Sequence, residues 1–207
     1  MHIHFHDEQE EIRYNGDQLK SLFPYSISKV KGDCLVAFFG QMDVRTDHMV
    51  DMEDVLQSDY IWSPLAFNMV VEIFHIGIES AVLYQRSLMQ IATETLRDFL
   101  VYHNIASADI KLEGDDIMVK FLGPKEDDKY GVWKKLSVSI ATVSHISGLI
   151  HSALNVDVDD KIPVPATGLR DILIESSIIV EYCKEVCNRF KDFVHSVKLA
   201  SVKVKGV

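Results

Sequence analysis

The order of elements in this chain predicts an α+β fold with a mixed, mostly antiparallel sheet packed by helices. Two observations carry that reading. Helical and strand patterns are segregated along the chain rather than alternating, which argues against a doubly wound parallel sheet. And 207 residues, 47% of them hydrophobic and 25% charged, suit one folded domain, read here as residues 1–207, with a real core and no compositional sign of disorder.

The elements follow in order. Residues 1–7 alternate histidine and apolar side chains in period two and read as a short strand. Asn15-Gly16 is a turn signal. Residues 33–42 contain C-L-V-A-F-F, a buried strand pattern that Gly40 closes. Residues 43–59 read as an acidic loop. Ser63-Pro64 has the form of a helix start, serine capping and proline in the first turn. Leu65, Met69, Val70, Ile73 and Phe74 then recur at helical spacing, until Gly77 interrupts. A second helix is expected over 78–102, with Val82, Leu88, Ile91, Leu96 and Phe99 on its apolar side. Strands follow near 107–112, 116–122 and 132–142, with 123–131 as a charged hairpin tip. A last strand spans about 146–156 and ends before Pro163 and Pro165. A long helix over 170–197 carries Ile179, Cys183, Cys187, Phe190 and Val194 on one stripe.

Charge narrows the partner classes. A formal net charge of -10 disfavours general attraction to nucleic-acid phosphates, so no DNA partner is expected. Three lysines in residues 198–207 could touch RNA, but a frayed, solvated end explains them better. No apolar run approaches the roughly 20 residues that span a bilayer, so no membrane is expected. Three cysteines, an odd number without framework spacing, point to a reducing cytoplasm. A homo-oligomer stays open.

Several residue groups are candidates for chemistry. On a strand over 134–142, Lys135, Ser137, Ser139 and Ala141 share one face and Leu136, Val138 and Ile140 the other. On the next strand His151, Ala153 and Asn155 share a face. Small side chains there mean either a solvated sheet face or something packing closely, such as a ligand. Gly114-Asp115-Asp116 reads as a turn into a strand, or as two carboxylates able to hold a metal ion. Asp43, Asp47, His48, Asp51, Glu53 and Asp54 lie within twelve residues, either a solvated acidic loop or a divalent-cation site. Asn68, Glu72 and His75 would share a helix face. Arg86 suits a carboxylate or a phosphate. His2, His4 and His6 stand about 6–7 Å apart along their strand, too far for one shared ion.

The whole chain resembles a small archaeal family of uncharacterised proteins, through Y-N-G-D-Q-L (14–19), F-F-G-Q-M-D-V (38–44), H-M-V-D-M-E-D-V (48–55), G-D-D-I (114–117), K-L-S-V-S-I-A-T-V-S (135–144) and I-H-S-A-L-N-V (150–156). Over about 110–170 that pattern is similar to the catalytic fold of biotin and lipoate protein ligases, relatives of class II aminoacyl-tRNA synthetases. The resemblance implies a lysine, Lys135, that contacts the carboxylate and phosphate of an acyl-adenylate. It implies Asp115 and Asp116 before the preceding strand, and Asn155 at a strand end. It also implies ATP and Mg²⁺ as cofactors and a small-molecule carboxylate as ligand. The arginine- and glycine-rich loop that wraps the adenylate in those ligases is missing, and the acidic segment 43–54 stands in its place. Where octanoyl transferases carry a cysteine, this chain has Ala166.

Three readings follow. The first is a divergent adenylate-forming ligase or acyl/aminoacyl transferase, with Lys135 catalytic, Asn155, His151, Ser137, Ser139 and Arg86 binding ligand, and Asp115, Asp116, Asp43, His48, Asp51 and Asp54 holding metal. The second is a metal-dependent hydrolase built on the acidic loop. The third is a non-catalytic module that binds a small carboxylate or a protein.

Overall fold

The computed structural model describes residues 1–6, 12–57, 60–105, 108–123 and 131–206. Its centre is a five-stranded sheet made of β1 (His2–Phe5), β2 (Cys34–Val44), β3 (Ile61–Phe74), β7 (Ser137–Val143) and β8 (Ser147–Asp157). The strand order is β1-β2-β3-β8-β7. Only β1 and β2 run parallel; the other pairs are antiparallel. A smaller antiparallel sheet joins β4 (Ala108–Glu113), β5 (Asp116–Phe121) and β6 (Lys134–Lys135). This is the α+β arrangement that element segregation predicts.

The two faces of the large sheet are covered differently. Helices α3 (Ile78–Tyr102) and α5 (Ser176–Ser201) lie on one face. There Leu35, Phe67, Met69 and Ile150 of the sheet meet Leu88, Leu96, Val186 and Phe190 of the helices in the main core. The Tyr182 hydroxyl donates to the Ala92 carbonyl at 3.0 Å and ties α5 to α3. At its start α3 comes very close to β8: a Cβ placed on Gly148 would stand 2.6 Å from Ile76 and 3.0 Å from Ala81. The other face carries no long helix. It is covered by Tyr14, by α1 (Phe23–Ser28) and by the segment holding α2 (Met52–Gln57), over a smaller core of Val36, Phe38, Met42 and Val70.

One predicted element is corrected. Residues 61–74 form the longest strand, not a helix. Every residue from Ala66 to Ile73 is buried, because this central strand is covered on both faces. A strand buried on both sides is apolar throughout, so its side chains match helical spacing by default. Pro64 survives because it sits where pairing is broken: β2 and β3 shift register between Gly40–Ala66 and Met42–Ser63. Asn68 and Glu72 therefore share a strand face rather than a helix face.

Smaller differences have local causes. The strand expected over 132–142 is two strands with a break at Leu136. The Leu136 N–H donates to the Ile117 carbonyl of the small sheet, and its carbonyl accepts from Asn155 of the large one, each at 2.8 Å. The chain crosses from one sheet to the other at that residue. The last helix is preceded by a short α4 (Leu169–Leu173), separated from α5 by Ile174 in the left-handed region at φ 59°. Asp7, the start of the 107–112 strand and most of the 123–131 tip lie outside the described residues.

Candidate functional site

The two-face architecture decides where each candidate side chain goes. Residues paired across an antiparallel ladder share a face, and Ile140 pairs with His151, Val138 with Ala153. So Val138 and Ile140 lie with His151 and Asn155 on the face without long helices. Ser137, Ser139 and Ala141 lie on the helix-covered face. The side chains of the two strands are therefore split between the two faces, although Ser137 and Ser139 still border the cavities of the other face. What packs against Ser139 is α3.

That contact is a polar clamp. The Gln85 amide donates to Asp115 Oδ2 at 2.8 Å and to Ser139 Oγ at 2.7 Å, while the Ser139 hydroxyl donates to the same Asp115 oxygen at 2.8 Å. Arg86 completes it, 3.3 Å from Asp115 Oδ1. Gly114 makes the turn at φ +66°, with the Arg86 guanidinium 2.6 Å from where its Cβ would stand. Asp115, Arg86 and the Ser139 hydroxyl thus join α3, the β4–β5 turn and β7. Asp116 points elsewhere and pairs with Lys135 at 2.9 Å. The two neighbouring carboxylates do not converge as a metal-holding pair.

On the other face two cavities adjoin and share Asp54, Ile61 and Val138, so together they form one groove over β3, β8 and β7. At one end stand Lys135 and Asn155, roofed by Ile162, Pro163, Val164 and Ala166. The backbone of Lys135 is held on both sides. It pairs with Met118 of β5, donates to the Pro165 carbonyl at 2.8 Å and accepts from Thr167 at 3.0 Å. The roof is fastened to β3 by the Trp62 indole, which donates to Asp159 at 2.8 Å, by Lys161 over the Trp62 ring, and by the Tyr60 hydroxyl on the Lys161 carbonyl. Ser137 lines this end, but its hydroxyl already accepts from the Ile117 N–H at 2.8 Å.

The far end of the groove is lined by Tyr14, Met42, Val44, Met49, Ile140 and His151, with His48, Asp51 and Asp54 beside them. His151 is 2% exposed and stacks face to face on Tyr14, ring centroids 3.5 Å apart. Its Nε2 meets Asn68 Oδ1 at 3.0 Å. Burial lowers its pKa to about 3, so the ring is neutral. Burial also pushes the Tyr14 phenol upward, so it keeps its proton.

The acidic segment is only partly in the groove. His48, Asp51 and Asp54 border it, whereas Asp43 sits on β2 and pairs with Arg45 at 2.9 Å. The His48 ring stands between Asp17 at 3.0 Å and Asp47 at 3.7 Å, and Asp51 Oδ1 accepts the Glu53 N–H at the start of α2. Among the described residues no group of three or more His, Cys, Asp or Glu side chains is placed to hold a metal ion. The predicted metal set of Asp115, Asp116, Asp43, His48, Asp51 and Asp54 is therefore dispersed over four places. His4 and His6 of β1 stand 6.1 Å apart, ring to ring. No helix among the described residues is long and apolar enough to cross a membrane.

Sequence reading alone passed over Tyr14, Trp62 and the 160–166 roof as site residues. The available signal was Asn68, an amide within the apolar run 65–74. Its hydrogen bond with His151 depends on that run being a strand.

Comparison with known proteins bears on the family and the fold. The family model for a domain of unknown function, DUF366, matches residues 1–205. An uncharacterised protein of Methanocaldococcus jannaschii is 30% identical over 189 residues, covering 86% of this chain and 77% of its own. A solved protein of unknown function from Pyrococcus horikoshi superposes with a TM-score of 0.81 at 29% identity, covering 99% and 98% of the two chains. A bi-partite lipoate protein ligase from Thermoplasma acidophilum follows at a TM-score of 0.52 and 11% identity (92% and 83% covered). A biotin protein ligase from Aquifex aeolicus, solved with biotin, gives 0.50 and 14% (93% and 71%). The fold is that of the biotin and lipoate ligase catalytic domains.

Proposed function

This chain belongs to the DUF366 family, and from that premise we propose that its groove binds a small acyl group, as a divergent acyl transferase on the ligase fold. The observation that carries the reading is the placement of Lys135. It lines one end of a groove that continues as an apolar slot past Val138 and Ile140. A lysine has three N–H donors; one goes to Asp116, leaving two for a ligand carboxyl. Aimed at the carboxyl carbon's oxygens, such a cation stabilises the negative charge that develops during acyl transfer. Asn155, 4% exposed, lines the same end and adds an amide. The biotin held by the Aquifex ligase is a carboxylate of this general kind.

The lining does not fit a nucleotide triphosphate held by direct contacts. Lys135 is the only lysine or arginine among the described residues that border the groove, and Asp51 and Asp54 stand on the same wall. Acyl activation by another route, such as a thioester donor, suits this lining better than ATP with Mg²⁺. The hydrolase reading loses support with the dispersal of its acidic ligands.

The test is binding, followed by transfer. Octanoate, lipoate and biotin, free and as thioesters, are screened by thermal shift, since a ligand specific to the folded state raises the melting temperature. At least one acyl ligand is expected to bind, and Lys135→Ala to weaken it by roughly tenfold or more, the loss of one charge-assisted contact. Binding that ignores Lys135→Ala, or no acyl binding at all, overturns the reading. ATP-dependent labelling of a lipoyl or biotinyl acceptor domain is expected to be undetectable.

A further inference from the structure

The far end of the groove is built to accept hydrogen bonds. The Asn68 amide shows why. Its Nδ2 donates to the carbonyls of Gly40 at 3.3 Å and Ala66 at 3.2 Å, which turns Oδ1 toward His151. An oxygen that can only accept requires the facing Nε2 to carry the proton. The other ring nitrogen, Nδ1, is then a bare lone pair. It has no hydrogen-bond partner among the described residues, and it is not among the buried atoms sealed away without one. The Tyr14 hydroxyl is in the same position: the residue is 3% exposed, lines the cavity and makes no hydrogen bond among the described residues. Around this pair the cavity adds the half-buried carboxylate of Asp51, and where it joins the Lys135 end it is bordered by Asp54. His48 contributes no surplus positive charge, because Asp17 and Asp47 flank its ring. The rest of the lining is mainly aliphatic.

A neutral lone pair, a phenol and a carboxylate at the end of an apolar slot recognise a group rich in N–H donors and positive in charge. We propose that the groove's far end is an ammonium subsite, so that the ligand is an amino-acyl compound with its carboxyl end at Lys135 and a protonated amine at His151, Tyr14 and Asp51. This deepens the acyl reading of the groove and rests on it. The two ends differ in sign, which orients a zwitterion and rejects its reverse placement. They are also well separated. Asn155 and His151 lie four residues apart on one strand, about 13 Å at the usual rise. That span calls for an amine remote from the carboxyl rather than an α-amine alone.

The experiment is calorimetry on the full chain with two matched series, straight-chain fatty acids and ω-amino acids of equal chain length. The amino acids are expected to bind roughly tenfold more tightly at the best length, the contribution of one charge-assisted hydrogen bond. That preference should shrink in His151→Phe and in Asp51→Asn, the latter keeping an N-cap residue ahead of α2. Lys135→Ala should weaken both series alike and leave the preference intact. If His151→Phe does not fold, Tyr14→Phe and Asp51→Asn decide the matter. Equal affinity for the two series, with both still sensitive to Lys135→Ala, overturns the ammonium subsite and leaves the acyl groove standing. A preference that survives every far-end variant also overturns it. Failure of both series to bind overturns the groove reading and this inference together.

Discussion

The two faces of the central sheet are made from the same five strands, yet they do different work. On the helix-covered face the charged and amide groups complete one another, Asp115 taking Gln85, Arg86 and Ser139, while the Thr95 and Ser152 hydroxyls are sealed in the core without a partner among the described residues and away from any cavity described above. On the opposite face buried polar atoms remain with capacity to spare, notably His151 Nδ1 and the Tyr14 hydroxyl. The difference separates stability from recognition. Buried polar groups that complete one another hold a fold in one arrangement, and those left incomplete at a cavity wall are where a ligand completes them.

Breaking the covered face should cost most. Phe190 of α5 is fully buried against the sheet, and Phe190→Ala is expected to lose about 3–5 kcal/mol in urea denaturation, transfer plus cavity. A loss below about 1 kcal/mol would mean that α5 is not part of the core.

The next effect comes from the open face and is read by pH. His151 titrates near 3 in the folded chain, because burial opposes its charge, and near 6.5 when unfolded. Between those values the unfolded chain binds a proton that the folded chain does not. Stability from this residue is complete above about pH 6.5 and falls by up to about 1.4 kcal/mol per pH unit as pH drops toward 3. Denaturation of wild type and His151→Phe over that range should show a shallower acid slope in the variant. Parallel slopes would show that the imidazole is hydrated in the native state.

Asp115→Ala tests the clamp. It leaves the Gln85 amide and the Ser139 hydroxyl short of an acceptor, at a cost of about 1–3 kcal/mol. Groove ligands should bind the folded variant as before. A variant of wild-type stability that loses ligand would move Asp115 to the site.

The smallest stability effect belongs to Lys135. Its ion pair with Asp116 is about one-third exposed on each side, so solvent screens it and Lys135→Ala should cost less than about 1 kcal/mol. The same change should damage binding far more than stability. Strong destabilisation would make Lys135 a structural residue.

Periodicity, turn residues and order of elements were enough to place the α+β class, helix 78–102 and most strands. These are local properties, and local steric rules read them directly. Lys135, Asn155 and His151 were legible as polar residues on apolar strands. What the chain's own pattern left undecided was which face each one occupies. The run 61–74 shows the reason most clearly: covered on both sides, it keeps no alternation that separates strand from helix. The crossing at Leu136 is a second case, since the chain changes sheets there within one residue. Neighbours in sequence such as Asp115 and Asp116 then part company, one to α3 and one to Lys135. Pairing of Ile140 with His151, and of Val70 with His151 across β3, brings together residues far apart in the chain. Contacts at that separation are set by how the sheet closes on itself, and only the tertiary structure decides them, because the energy that selects them is the burial of whole faces rather than the preference of any single residue.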